Sequence, residues 1–344
     1  MIRTPLVRLL LVGAVAAACG CASWVVGPDK TSDRGRIFDA LWTDFDIHYP
    51  FFEMKGVNWD SLGNVYRPRA TRARSNYELY EVLGELLGHL WDPHVSMSRD
   101  GKTMNYPSPM YTTYFSEQVV FGRYVPENRT TRTGGMRYGR IGADIGYVWI
   151  PSFDNDGWGG EIDRVLADIG GVRGLIVDVR DNGGGAPDNA LSIVERFADR
   201  KRTWGYVRFR NGPEHSDFTS YIAQTVAPGG SMHYAGPVVV LTNRAVYSAA
   251  EEFVLAMSVL PQVTTMGDVT GGASAAPAVR ELPNGWTYQM STWIEYTLDQ
   301  RPFEGEGLAP DILVRPKSWD PRRGIDEMLD AAVRRLTEGE SEGQ

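Results

Sequence analysis

The sequence predicts a mixed α/β protein, and three observations carry that prediction. Short apolar runs bounded by turn residues, at 146–150, 174–179 and 238–241, have the composition of buried strands. Each is followed by apolar residues at helical spacing: Ile162, Val165, Leu166 and Ile169; then Leu191, Ile193, Val194 and Phe197; then Phe253, Val254 and Met257. Finally, Asn284-Gly285 between 279–282 and 286–290 is a hairpin signal, so antiparallel pairs are interspersed with the strand–helix units.

A helical segment precedes this part. Ile37, Phe38, Leu41, Trp42 and Phe45 mark a first helix over 36–48, stopped by Tyr49-Pro50. Trp59, Leu62, Val65 and Tyr66 mark a second, ended by Arg67-Pro68. Ser75-Asn-Tyr-Glu78 is a capping box, and Leu79, Val82, Leu83, Leu86, Leu87, Leu90 and Trp91 continue it as a third helix. These residues predict a small helical domain over 34–98 and a main domain over 99–340. Within the main domain 106–140 shows no clear period, and Ile325, Met328, Leu329, Val333 and Leu336 predict a closing helix.

The first residues read differently. Arg3 and Arg8 precede an apolar stretch at 9–18 that is too short to cross a bilayer, the layout of an export leader. It runs into Ala-Ala-Ala-Cys-Gly-Cys-Ala-Ser, which resembles a bacterial lipoprotein signal. The expectation is a leader over 1–21, lipid on Cys21 with Cys19 as the alternative, and a tether over 22–33. An ordinary secretory leader is the competing reading. Either way the protein is expected at the bacterial cell envelope, lipid-anchored or periplasmic and secreted. Its only two cysteines lie in this stretch, so stability rests on the core and not on internal disulfides.

Composition narrows the function classes. The 344-residue chain is 42% hydrophobic and carries a net charge of −8 without a basic run, which argues against a nucleic-acid partner. No Cys/His spacing marks a metal site, and neither a phosphate-loop nor a dinucleotide fingerprint is present, so no metal or cofactor is expected.

Three places can carry chemistry. Ser248 stands at a loop-to-helix junction, where free N–H groups and the helix dipole favour developing negative charge. Ser248-Ala-Ala-Glu251 also reads as a capping box, a purely structural role. His94, in Asp92-Pro93-His94, lies where the third helix gives way to an alternating strand. Gly183, Gly184 and Gly185 follow a buried strand and precede a helix, in a turn whose backbone can approach a ligand closely.

Four segments, in order, resemble the tail-specific (C-terminal processing) and tricorn serine proteases. They are Trp91-Asp-Pro-His-Val-Ser, Gly174-Leu-Ile-Val-Asp-Val-Arg-Asp-Asn-Gly-Gly-Gly185, Asn243-Arg-Ala-Val-Tyr-Ser-Ala-Ala-Glu251 and Glu304-Gly-Glu-Gly-Leu-Ala-Pro-Asp311. The resemblance implies a ClpP/crotonase-like spiral of β-β-α units behind a small helical domain. It implies a Ser248 nucleophile, and an oxyanion hole from Gly183, Gly184, Gly185 and the Ala249 N–H. The C-terminal processing branch uses a lysine base in the loop after the next strand, and 266–275 contains none. The tricorn branch uses a histidine, matched by His94, steadied by a late glutamate that Glu304 matches, with Glu306 as competitor. Pro93 replaces the serine that branch places before its histidine, so His94 must be oriented directly by Glu304, or by Asp92 or Ser96. The segment 99–146 is too short for an inserted PDZ module. The implied substrates are peptides or unfolded proteins; the alternative is an inactive relative that binds peptide or a hydrophobic ligand.

Overall fold

The computed structural model describes residues 30–106, 111–154, 156–275 and 277–338, so the leader, Cys19 and Cys21 lie outside the described residues. Three helices come first: α1 (Arg34–His48), α2 (Trp59–Arg72) and α3 (Asn76–Gly88). Side-chain oxygens of Asp33, Asn58 and Ser75 cap their N-termini by accepting the N–H groups of Arg36, Ser61 and Glu78. The second helix runs past its expected stop: Pro68 lies inside it. Tyr66 and Ala70, on either side, are both buried, and that packing carries the helix through the lost backbone bond.

After a hairpin of β1 (Ser96–Arg99) and β2 (Lys102–Asn105) come β3 (Arg129–Thr130), β4 (Arg137–Ile141) and β5 (Ile145–Trp149). Then follow α4 (Trp158–Ile169), β6 (Gly174–Asp178), α5 (Pro187–Val194), β7 (Arg202–Phe209), β8 (Ile222–Val226) and β9 (Val238–Thr242). The chain ends through α6 (Ala249–Ser258), β10 (Val263–Gly267), β11 (Pro277–Glu281), β12 (Thr287–Ser291), β13 (Trp293–Tyr296), β14 (Ile312–Leu313) and α7 (Glu327–Glu338).

The central sheet has the order β14-β10-β9-β6-β5-β4-β3, parallel from β14 to β5 and antiparallel beyond. Every residue of β5, β6 and β9 is buried, as their continuous apolar runs require of strands covered on both faces. α4, α5 and α6 contribute Ile162, Ile193 and Phe253 to the core on one face; α7 contributes Met328 and Leu329 on the other.

The helical segment does not close its own core. Phe38, Phe45, Trp59 and Leu83 pack in one cluster with Trp286, Tyr288, Met290 and Tyr296 from the late strands. β1 also pairs with β12, in a four-stranded sheet ordered β11-β12-β1-β2. The N-terminal helices and the residues around 275–296 therefore form one packed unit, and the segment carrying His94 runs along its edge.

Candidate active site

Ser248 forms the sharp joint between β9 and α6. Its backbone has φ +55° and ψ −131°, a conformation that strains any residue bearing a Cβ. Backbone bonds hold it there: its N–H donates to Ala273 O (2.9 Å), and its carbonyl accepts from the N–H groups of Glu251 (2.7 Å) and Glu252 (3.2 Å). The serine half of the capping box is not formed, because the Ser248 side chain caps nothing. Ser248 itself is half-buried. Glu251 is drawn instead into the 270–273 loop, where its carboxylate accepts the N–H groups of Gly272 and Ala273, each at 2.8 Å, and the Thr270 hydroxyl. Burial pushes this carboxyl up to about 7 against those donors.

The glycine turn lies directly on Ser248. A Cβ on Gly184 would come within 2.9 Å of Ser248 Cβ and 3.2 Å of the Ala249 nitrogen, and Gly184 has φ +101°, so only glycine fits. Buried Asn182 fixes the turn: its Nδ2 donates to Ile150 O (3.0 Å), and its own carbonyl accepts the Tyr247 N–H (3.2 Å). Asn182 Oδ1 also accepts the Gly184 N–H at 2.8 Å. That bond engages the Gly184 N–H, one of the expected oxyanion donors, within the turn itself. The Gly183 and Ala249 N–H groups donate to nothing among the described residues. Gly185 packs against the backbone of Phe153 and Asp154 and sets the spacing of the turn.

His94 approaches from the other unit. Beyond α3 the chain turns through exposed Trp91, which has φ +48°, into Asp92, which is fully buried. Asp92 Oδ1 accepts the His94 N–H (2.9 Å), a local turn built around Pro93. Its Oδ2 accepts the Tyr49 (3.0 Å) and Ser291 (2.8 Å) hydroxyls. The His94 Nδ1 is buried, has no hydrogen-bond partner among the described residues, and lies 3.9 Å from Asp92 Oδ1. Burial lowers the pKa of His94 from its ordinary value; Asp92 opposes that shift and Lys55 adds to it.

Glu304 is buried beside this cluster but does not pair with the ring. Its Oε1 meets Lys55 Nζ at 2.9 Å and its Oε2 accepts the Ser274 N–H at 3.0 Å. The expected direct Glu304–His94 contact is thus replaced by Lys55, because the ammonium competes for the same carboxylate. Glu306 is exposed, and Gly305, at φ +77°, turns it away from Glu304. One continuous series of contacts joins the two halves of the site: Ser248 to Ala273, Ser274 to Glu304, Glu304 to Lys55, Lys55 to Asp92 at 3.8 Å, and Asp92 to His94. Lys55 stands alone in a loop after Phe51-Phe52, and no sequence pattern marks it.

A second acid pair lies behind Ser248. Glu252, one turn into α6, shares a hydrogen bond with Glu295 of β13, and both are buried. Two carboxylates so placed cannot both ionise: burial pushes Glu252 up to about 7, and burial together with Glu252 pushes Glu295 well above the carboxylate range. In the unfolded chain Glu252 releases its proton near 4.5. Its contribution to stability is therefore fully present below that pH and is lost as pH rises towards 7. Glu252→Gln is expected to stabilise the protein at pH 8 by on the order of 1–3 kcal/mol and to change little at pH 4. Urea denaturation at the two pH values checks this; equal effects at both would sink the shared-proton reading.

Residues 144–314 match the model of peptidase family S41, and residues 31–88 match that of the tricorn protease C1 domain. A carboxy-terminal-processing protease of Bartonella bacilliformis is 24% identical over 196 residues, covering 55% of this chain and 43% of its own length. The chain spans less than half the length of the curated relatives it matches. Among solved structures, a Parabacteroides merdae protein described as a peptidase has a TM-score of 0.79 and 33% identity, with 89% of this chain and 97% of that one covered. The photosystem II D1 C-terminal processing protease shares the fold at a TM-score of 0.56 and 15% identity, over 89% of this chain and 98% of its own.

Proposed function

This chain belongs to peptidase family S41, a family of serine peptidases, and from that premise we propose that it hydrolyses peptide bonds with Ser248 as nucleophile and His94 as base. The observation that carries the reading is the strained Ser248 joint, with an uncommitted hydroxyl, the Gly184 backbone pressed against it and the Ala249 N–H beside it. In this mechanism His94 accepts the Ser248 proton as Oγ attacks the carbonyl carbon, and returns it to the leaving amine. The Ala249 and Gly183 N–H groups stabilise the oxyanion. Asp92 takes the orienting role that the sequence resemblance assigns to Glu304, since its Oδ1 is the carboxylate oxygen nearest the ring. Their 3.9 Å separation closes to a hydrogen bond as the imidazolium forms.

Substrates are peptides or unfolded proteins, as peptidase chemistry implies. The leader-like first residues support an enzyme held at a bacterial cell envelope by lipid on Cys21. A fluorophosphonate probe tests the central claim. An adduct mapped to Ser248 is the expected result; an unlabelled protein that still binds peptide would favour the inactive-relative reading. For the orienting group, Asp92→Asn is expected to lower kcat by about 10²- to 10³-fold. A larger loss in Glu304→Gln would return that role to Glu304.

A further inference from the structure

We infer that Lys55 is a positioning residue for this reaction, holding Asp92 and Glu304 together at the back of His94. The inference rests on the peptidase reading above and extends it to a residue outside the catalytic sheet. Lys55 sits on a tight turn, with its N–H on Phe51 O (2.9 Å), the Gly56 N–H on Glu53 O (3.1 Å) and the Val57 N–H on Phe52 O (2.9 Å). Phe51 and Phe52 are buried, so the turn is anchored to the aromatic core of the helical unit. From there the side chain, only 15% exposed, runs over the Phe51 ring with Nζ 5.1 Å from its centroid.

The ammonium then meets three groups on two distant chain segments. It pairs with Glu304 Oε1 at 2.9 Å, donates to Trp91 O at 3.3 Å and lies 3.8 Å from Asp92 Oδ2. Two buried carboxylates sharing one neighbour repel each other, and the cation between them offsets that repulsion. Burial and Asp92 both push the Glu304 carboxyl up, and Lys55 pulls it back down. The Trp91 contact matters separately, because Trp91 is the strained residue that opens the turn to His94. Lys55 thereby fixes both the backbone that carries the base and the charge that the base faces.

The groups facing Lys55 are Asp92, Glu304 and His94, with the Tyr49 hydroxyl on Asp92. Removing the cation makes protonation of the His94 ring easier, so its pKa rises. Protonated His94 cannot accept the Ser248 proton, so the acid limb of the pH–rate profile moves to higher pH. Proton uptake by Glu304 in the mutant limits the shift.

The test uses the full chain and a fluorogenic peptide, with wild type, Lys55→Met and Lys55→Arg compared across pH. In Lys55→Met the acid limb is expected to rise by roughly 0.5–1 pH unit, and plateau kcat to fall about 10- to 100-fold with KM little changed. Lys55→Arg keeps the charge and should hold the wild-type limb. Should the methionine variant not fold, Lys55→Gln, which removes the charge but can still donate, is expected to move the acid limb in the same direction. A fall in kcat with an unmoved limb would overturn the inference and leave a structural ion pair. Wild-type kcat in Lys55→Met would overturn it as well. A wild-type protein that takes no fluorophosphonate label and cleaves nothing overturns the peptidase reading itself, a different failure.

Discussion

Ser248→Ala is expected to lower kcat by about 10⁴- to 10⁶-fold while the protein stays folded. The argument for retained folding is local. The Ser248 hydroxyl caps nothing, so its removal leaves no orphaned donor in α6. Alanine meets the same backbone strain at φ +55° that serine already bears, because both carry a Cβ. The stability change should therefore stay below the cost of about 1 kcal/mol expected for a lost N-cap. Residual hydrolysis above the background would come from the Ala249 and Gly183 donors and from substrate binding alone. Peptide hydrolysis and thermal unfolding of the same preparations check both halves. A variant that remains active would remove Ser248 from the mechanism; one that unfolds would show the hydroxyl to be structural.

His94→Ala should lose nearly as much, and the Ser248→Ala/His94→Ala double variant little more than either, because nucleophile and base act as one unit. Wild-type kcat/KM should fall on the acid side with a midpoint below the ordinary histidine value of 6.5, since burial and Lys55 favour the neutral ring. The sign is fixed by the role: a base must be unprotonated, so a lowered pKa extends activity to lower pH. A midpoint well above 6.5 would mean that Asp92 outweighs burial in the free enzyme. Full activity in His94→Ala would show another group to be the base.

Much of this site was legible because it rests on local patterns. The strands at 146–150, 174–179 and 238–241 are apolar along their length, and that marks them as buried on both faces. Ser248 and Gly184 stand at loop-to-helix turns where few other residues fit. What escaped was set by tertiary contact. Pro68 reads as a stop, yet α2 continues because Ala70 is buried beyond it. Lys55 is one lysine in an aromatic loop, and nothing local tells it from a solvated surface cation. Its partner Glu304 lies far along the chain, so the competition for that carboxylate cannot be read from either neighbourhood. The Glu252–Glu295 pair escaped for the same reason: each residue alone looks like a surface acid. Only the fold makes them neighbours.

The shared core of the early helices and the late strands has a consequence for how the enzyme is made. Phe38, Phe45, Trp59 and Leu83 cannot complete their packing until Trp286, Tyr288 and Met290 have emerged from the ribosome. Asp92 waits for Ser291, and Lys55 for Glu304. Contacts of such long sequence separation form late, because closing the intervening loop costs entropy before any packing is gained. A nascent chain that has already extruded Ser248 therefore still lacks an ordered His94. On the proposed mechanism the Ser248–His94 pair assembles only once the segment reaching Glu304 has been made.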